Sequence, residues 1–238
     1  MNFTEGEILF IDKPYGMSSF GALARVRTSI SRRLGVKRIK IGHAGTLDPL
    51  ATGVLILCTG RRTKDIETLQ YHTKEYIATL QLGATTPSYD REHTVNFTYP
   101  SNHITRGLIE AVLPRFLGEI KQVPPEYSAC KIGGQRAYKM MRKGKDVELK
   151  AKTLRIDEIE LLSYDACSKQ LSIRVVCGKG TYIRALARDI GEALGSGAFL
   201  TQLRRTRVGD VRVEDCITLD DFPQWLAEQD IEENTEEN

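Results

Sequence analysis

The chain has 238 residues, 41% of them apolar, and its 34 Lys and Arg against 31 Asp and Glu give a net charge of +3. This length and apolar content suffice for a sizeable core, and no run approaches the roughly 18 consecutive apolar residues of a membrane span. The first ten residues lack the basic leader and apolar run of a secretory signal. Five widely spaced cysteines without a CxxC pair favour free, mostly buried thiols in a reducing cytoplasm over disulfides or structural zinc.

The basic charge is unevenly distributed. Residues 226–238 hold six acids and no base, which leaves +9 on residues 1–225, and we expect this tail to be frayed from about residue 228. Seven bases and no acid occupy residues 25–40, and nine bases against two acids occupy residues 131–155. A third cluster is Arg204, Arg205, Arg207 and Arg212. Three such clusters indicate a polyanionic partner, most simply a nucleic acid.

The first half of the chain predicts strands and helices in alternation. ILFID (8–12) is typical of a buried strand, and Ser18 or Ser19 can cap a helix whose apolar residues Leu23, Val26, Ile30 and Leu34 have helical spacing. GVLILCTG (53–60) predicts an all-apolar strand. KEYIATLQLG (74–83) alternates as a two-faced strand does. A helix is predicted from Thr105 to Leu113, ending near Pro114.

The second half begins with a basic excursion, residues 122–152, whose two prolines, Gly-Gly pair and many lysines predict a long, mobile, functional loop. Strands are expected at 153–162, 170–177 and 199–209. A helix with Ile183, Leu186, Ala187, Ile190 and Leu194 on one stripe follows GKGT (178–181), and a last helix contains Phe222, Trp225 and Leu226 after a possible Thr218–Asp221 capping box. We therefore predict one α+β domain, 1–238, with a mixed, mostly antiparallel sheet flanked by helices.

Two familiar kinds of site are disfavoured. The four histidines show neither HxH nor HExxH spacing, so a metal site is not expected. CGKGTYIR (177–184) places glycines and a lysine between a strand and a helix, but the full GxxxxGK[ST] pattern is missing and Thr181 serves equally well as a plain N-cap.

Asp48 is the stronger candidate for chemistry. It lies in GHAGTLDPLATGVL (42–55), and no other carboxylate occurs between Asp12 and Asp65. An Asx-turn before Pro49 would explain it structurally. However, Gly42 and Gly45 allow a ligand to approach the backbone, and a lone acid before an apolar strand needs a counter-ion to stay ionised. Such a carboxylate can act as a covalent nucleophile.

The stretch 42–55 resembles the signature motif of the TruB family of tRNA pseudouridine synthases. Five further stretches agree with that family in order and spacing, so the resemblance covers nearly the whole chain: DKPYGMSS (12–19), KEYIATLQLG (74–83), PPEYSACKIGGQRAY (124–138), GKGTYIRALARDIG (178–191) and GAFLTQLRRTRVG (197–209). The resemblance implies the pseudouridine synthase fold and isomerisation of the T-loop uridine-55 of tRNA by base flipping, without a cofactor.

The resemblance also implies roles for individual residues. Asp48 matches the catalytic nucleophile, which attacks at C6 or at C1′; Arg184 matches the arginine that pairs with it, and Tyr76 the aromatic that stacks on the flipped base. The substrate-binding positions are His43, Tyr76, Tyr182, Leu203 and Lys13. His43 helps to displace neighbouring T-loop bases, and Lys13 supports the loop. Tyr76 could otherwise be an ordinary strand aromatic, His43 a loop stabiliser and Leu203 plain core.

The family's RNA-gripping insertion, the thumb, aligns with residues 122–152, which we expect to close on the T stem-loop. The expected partner is tRNA, with no membrane and no protein partner, and the expected state is a cytoplasmic monomer. Many relatives continue into a C-terminal PUA domain that this sequence does not show, which argues against the guide-RNA-dependent members. Two alternatives remain open: a non-catalytic RNA-binding protein on the same scaffold, and a magnesium-dependent aspartyl-phosphate or nucleotide-handling enzyme that uses Asp48 or GKGT.

Overall fold

The computed structural model describes residues 1–128 and 149–232 and, between them, only the backbone of two short strands, Lys131–Ile132 and Gln135–Arg136. The chain forms two compact units. The first contains Met1–Lys74 and Arg204–Asn238, and the second contains Glu75–Leu203. The prediction that they act as one catalytic domain stays a prediction.

The first unit is a sheet with helices. Its elements in chain order are β1 (Ile8–Lys13), α1 (Ser19–Arg33), β2 (Ile41–Ala44), β3 (Ala51–Thr59), a 3₁₀ turn (Gly60–Asp65), α2 (Ile66–Leu69), the second half of β12 (Ala198–Val208), β13 (Val211–Arg212), a 3₁₀ turn (Val213–Asp215), β14 (Ile217–Thr218) and α5 (Phe222–Ala227). β1 pairs in parallel with β14 and antiparallel with β3, and β2 is antiparallel to β3.

Packing explains the sequence pattern of β3 and α1. On β3, Leu55 and Leu57 belong to one buried cluster, whereas Val54 and Ile56 belong to another, so the strand is buried on both faces and has no polar alternation. Helix α1 begins after Ser18, whose side chain accepts a hydrogen bond from the Gly21 amide. Its apolar stripe lies in the first of the two clusters.

The second unit combines a sheet with two helices. Its elements in chain order are β4 (Lys74–Leu82, from Glu75 on), β5 (Ala84–Thr85), β6 (Phe97–Thr98), α3 (Arg106–Val112), a 3₁₀ turn (Leu113–Phe116), β7 (Gly118–Gln122), β8 (Lys131–Ile132), β9 (Gln135–Arg136), β10 (Lys152–Asp165), β11 (Gln170–Cys177), α4 (Ile183–Ala193) and the first half of β12. Strand order runs β12-β4-β11-β10-β7, and β10 is antiparallel to both β11 and β7.

The structure confirms the predicted α+β class and most predicted elements. α3 begins after Thr105, whose hydroxyl accepts a hydrogen bond from the Leu108 amide, and Pro114 lies in the 3₁₀ turn that follows. β4 alternates between a buried and a more exposed face. Two caps differ from the prediction. The N-cap of α4 is Tyr182, and the Thr181 hydroxyl donates to the Gly178 carbonyl instead. The N-cap of α5 is Asp221 and not Thr218. The elements that were not predicted are β2, β5 to β9, β13, β14 and α2.

The termini and cysteines differ in part from expectation. The tail is docked as far as Glu232, because the Met1 amino group donates to the Asp230 carbonyl and the Glu232 amide donates to the Met1 carbonyl at 3.0 Å. Residues 233–238 lie outside the described residues. Four cysteines lie within the described residues, and all four are free. Of these, Cys58 and Cys177 are buried but Cys167 is exposed. Cys130 lies outside the described residues. No helix in the described part of the chain is long and apolar enough to cross a membrane.

Candidate active site

Asp48 lies half-buried in the loop that joins β2 to β3. Its carbonyl accepts a hydrogen bond from the Ala51 amide at 3.1 Å, which closes a turn around Pro49. His43, five residues earlier, lies on β2 opposite Leu57 of β3. The antiparallel pairing of β2 with β3 therefore fixes both ends of the loop that carries the acid.

One chain neighbour of Asp48 is anchored to the first residue of α1 and the other to the turn after β1. The Ser19 hydroxyl donates to the Leu47 carbonyl and accepts from the Leu47 amide, both at 2.8 Å. The Gly16 amide donates to the Pro49 carbonyl at 2.9 Å. The backbone position of Asp48 is thus set on each side by a hydrogen bond from a separate element.

Lys13 lies fully buried beneath this loop. Its ammonium group donates to the carbonyls of Pro14 at 2.8 Å, Met17 at 2.6 Å and Pro49 at 3.4 Å. Burial lowers the pKa of Lys13 from 10.5 to about 8, and the attraction of Asp48 opposes that decrease in pKa. Lys13 therefore joins the segment after β1 to Pro49 of the loop and interacts electrostatically with the carboxylate of Asp48.

Arg205, which sequence analysis placed only in a basic cluster, is a second buried cation at the loop, 1% exposed. Its Nε donates to the Val54 carbonyl at 2.7 Å and its Nη2 to the Gly45 carbonyl at 3.1 Å. These two carbonyls lie on opposite sides of Asp48 in sequence. One guanidinium therefore connects the first residue of the loop to β3, the strand that follows the loop.

Gly42 and Gly45, which the sequence predicts to allow a ligand close to the backbone, have different surroundings. A Cβ atom at Gly42, in β2, would lie 2.5 Å from Cδ1 of Ile66, the flexible end of a side chain in α2 that would have to shift. Gly45 has φ +92°, in the left-handed region where a side chain is strained. The approach of a ligand at these glycines stays a prediction.

In the second unit, Arg184 is the second residue of α4 and is 4% exposed. Its Nη1 donates to the Ser88 carbonyl at 3.1 Å, and its Nη2 donates to the Tyr127 carbonyl at 2.9 Å. Its Nε lies 3.6 Å from Oδ2 of Asp90, a buried carboxylate. A cation at a helix N-terminus meets the positive end of the helix dipole, and Asp90 offsets that unfavourable placement.

A tight turn holds Asp90 in place. The Tyr89 amide donates to the Thr86 carbonyl at 3.1 Å, and Tyr89 itself has φ +56°, a left-handed conformation uncommon for a bulky residue. The Ser88 hydroxyl donates to Asp90 at 2.5 Å, and Nδ1 of His93 lies 3.0 Å from that hydroxyl. Because the single Ser88 proton points to Asp90, His93 must be the donor in the second bond.

Sequence analysis missed Asp90, although TTPSYD (85–90) carries a turn signal, with proline at the second position of the turn. It also missed Gln122, which is 1% exposed. Gln122 Oε1 accepts from the Tyr182 amide at 2.9 Å. Its amide nitrogen is buried without a hydrogen-bond acceptor in the part of the chain that the structure describes. Sequence alone gives no signal for that arrangement.

The remaining predicted site residues lie in the second unit. Tyr76 is 8% exposed and shares the buried face of β4 with Ala78 and Leu80. Tyr182 is half-buried at the start of α4. Leu203, half-buried at the point where β12 passes into the first unit, is not part of the buried core. The predicted ion pair of Asp48 with Arg184 stays a prediction, as do the roles of the other site residues.

In the third basic cluster, Arg204 and Arg205 have partners within the protein but Arg212 is exposed, so the predicted role of the cluster as a polyanion-binding surface stays a prediction. Arg204 forms a two-pronged ion pair with Asp12, at 2.7 and 3.2 Å, and Arg205 is buried at the loop. The other two clusters remain candidates for phosphate contact. Among the described residues, no group of three or more His, Cys, Asp and Glu side chains could hold a metal ion.

Comparison with known proteins identifies the family. Residues 32–183 match the TruB family pseudouridylate synthase N-terminal domain, and residues 184–237 match the tRNA pseudouridylate synthase B C-terminal domain. A Phocaeicola vulgatus protein named tRNA pseudouridine synthase B is 66% identical over 233 residues, 98% of each chain. A Bacteroides thetaiotaomicron protein of the same name is 63% identical over the full length of both chains.

A solved structure supports the fold. One chain of a crystal structure of a Cbf5-Nop10-Gar1 complex superposes with a TM-score of 0.69 at 30% identity, over 95% of this chain and 56% of that one. The family models together span most of the sequence, and the two relatives cover it almost end to end. The chain therefore belongs to the TruB family of pseudouridine synthases and has their fold.

Proposed function

We propose that this protein is a tRNA pseudouridine synthase that isomerises the T-loop uridine at position 55. One observation supports the proposal. The loop that carries Asp48, the family's signature aspartate, is held in place by two buried cations and by hydrogen bonds to both neighbours of the acid. Such a loop presents a carboxylate in a fixed position while its backbone needs no rearrangement during reaction. Relatives of 66% and 63% identity carry the name of this activity.

The chemistry requires a nucleophile, a rotation and a new bond. Asp48 attacks the uridine at C6 of the base or at C1′ of the ribose, the glycosidic bond breaks, the uracil turns, and a carbon–carbon bond forms between C1′ and C5. The proton on C5 is then lost, with Tyr76 as the proposed relay, N1 takes up a proton, and the bond to Asp48 breaks, which regenerates the carboxylate. No oxidation or reduction occurs, so the reaction needs no cofactor.

Arg184 is the proposed counter-ion of Asp48. Its Nη1 and Nη2 are fixed by the Ser88 and Tyr127 carbonyls, and Asp90 neutralises part of its charge, so the guanidinium is oriented before substrate binds. We assign Asp90 as a positioning residue of this arginine. Tyr182, Leu203 and His43 are the proposed contacts to the flipped base and its neighbours, and Lys13 supports the loop from below.

The proposed substrate contact is the T stem-loop of tRNA, bound by a cytoplasmic monomer. The predicted RNA-gripping insertion, 122–152, lies for the most part outside the described residues, so its role rests on its sequence. Phosphate contacts by Lys and Arg supply affinity, and the shape of the loop with its splayed bases supplies selectivity.

Binding of tRNA is expected to depend steeply on salt. With six phosphate contacts, affinity falls by about 10³-fold between 50 and 200 mM salt. The triple variant K139A/R142A/K143A in the insertion should lower the slope of log Kd against log salt by about 3. The control is Arg106→Ala, which removes an exposed arginine already paired with Glu110. It should leave the slope of log Kd against log salt unchanged. Equal affinity at low and high salt would contradict the proposal.

The decisive experiment incubates the purified protein with unmodified tRNA transcript in excess EDTA and maps pseudouridine by base-resolution sequencing. The expected result is one pseudouridine, at position 55, at undiminished rate. Activity that disappears with EDTA and returns with magnesium would favour the phosphate-handling alternative. Binding of tRNA with no product would favour the non-catalytic alternative.

A further inference from the structure

Two exposed aromatic side chains flank, in sequence, the residues that anchor the Asp48 loop. Tyr15, in the turn after β1, is 59% exposed, and Phe20, in the first turn of α1, is 64% exposed. Exposing apolar rings of this size in water is unfavourable, and a ligand that covers them relieves that cost. We call Tyr15 and Phe20 together the aromatic ledge.

The ledge is rigidly connected to the acid. Gly16, next to Tyr15, donates to the Pro49 carbonyl, and Ser19, next to Phe20, makes two hydrogen bonds with Leu47. Each ring is therefore one residue away from a group bonded to a chain neighbour of Asp48. The backbone that carries each ring is therefore held by the same hydrogen bonds that position the neighbours of Asp48.

The charge around the ledge identifies the partner. The guanidinium carbon of Arg27 lies 6.0 Å from the centroid of the Phe20 ring, two helical turns further along the exposed side of α1. Arg27 is one of seven Lys and Arg residues at positions 25–40, a stretch that contains no Asp or Glu. Rings that accept stacking next to cations that accept phosphate are the pattern of single-stranded nucleic acid binding.

We propose that the aromatic ledge is a second RNA subsite, which stacks an unpaired base of the tRNA substrate next to the flipped uridine while Arg27 contacts its phosphate. The proposal rests on the proposed function and adds to it a binding position. Stacking on Tyr15 or Phe20 stabilises one more extruded base, so the subsite contributes to affinity and to the choice of loop rather than to the chemical step.

The test measures Kd for unmodified tRNA transcript by filter binding, and kcat at saturating transcript. Phe20→Ala should raise Kd about tenfold, the loss of one stacked base, and leave kcat within about twofold. Tyr15→Ala should raise Kd similarly, and Arg27→Ala should lower the salt slope by about 1. The control is Tyr71→Ala, because Tyr71 is an equally exposed ring, 65%, in the same unit. It should bind like the wild type.

A second measurement locates the base. T-arm oligonucleotides with one abasic nucleotide at a time are bound to the wild type and to Phe20→Ala. One abasic position should weaken wild-type binding about tenfold and leave the binding of the variant unchanged, since the two changes remove the same stack. Ledge variants that bind tRNA as tightly as Tyr71→Ala would overturn the proposal. It would also be overturned if the wild type sediments as a dimer, and Phe20→Ala dissociates that dimer without losing affinity for tRNA.

These results separate the ledge from the proposed function. A wild type that binds tRNA but makes no pseudouridine refutes the function, while the Kd comparison still decides the ledge. A wild type that makes pseudouridine together with unaffected ledge variants refutes the ledge alone.

Discussion

Asp48→Asn is expected to reduce pseudouridine formation by at least about 10⁴-fold, because an amide oxygen is a poor nucleophile where a carboxylate is required. The change keeps the size of the side chain. The hydrogen bonds that hold the loop come from the backbone of Leu47, Pro49 and Gly45, so the variant should keep its fold. Single-turnover conversion of tRNA transcript, followed by mass spectrometry, measures the loss.

Binding must survive in the same variant. We expect the Kd of Asp48→Asn for tRNA to stay within about threefold of the wild type, since phosphate contacts dominate affinity. The matched control is Asp65→Asn, which removes the next carboxylate along the chain, an exposed one paired with Arg62, and should keep full activity. Measurable turnover by Asp48→Asn would exclude this aspartate as nucleophile.

Much of the fold could be predicted because local pattern and tertiary burial agree. The β4 alternation and the α1 stripe each match one buried face in the structure. β3 was recognisable because it is buried on both faces, which leaves a continuous apolar run. The short strands β2 and β5 were not recognisable, because two to four residues show too little periodicity to distinguish a strand from a loop.

The site divides in the same way. Asp48 was identified because a lone carboxylate between glycines and an apolar strand is unusual, and because the motif resembles a family. Asp90 and Arg205 were not identified, because their roles depend on contacts with residues distant in sequence. Asp90 faces a helix that begins 93 residues later, and Arg205 binds carbonyls more than 150 residues earlier. Nothing in RRTRVG tells a buried arginine from an exposed one.

Arg184→Met is expected to lower kcat by about 10³-fold, the effect of removing a preorganised charge from an active site. Asp90→Asn should cost less, about tenfold, because an asparagine still accepts hydrogen bonds from Ser88 and from the Glu92 amide while the charge beside Arg184 is lost. The double variant should be no slower than Arg184→Met alone, because Asp90 acts only through the arginine. Single-turnover rates and thermal melting of all three variants are the measurements.

Arg155→Met supplies the control for these variants, because Arg155 is an exposed arginine of β10 in the same unit and pairs with Asp157 at 2.7 Å. It should keep kcat within about threefold.

The stability of Asp90→Asn then separates two arrangements of charge. If Asp48 also faces Arg184, the guanidinium keeps an acidic partner and melting changes little. If it does not, the substitution removes the buried charge of Asp90 that faces this buried cation, and stability should fall by about 3 kcal/mol or more. That larger loss would contradict the pairing on which the catalytic role of Arg184 depends.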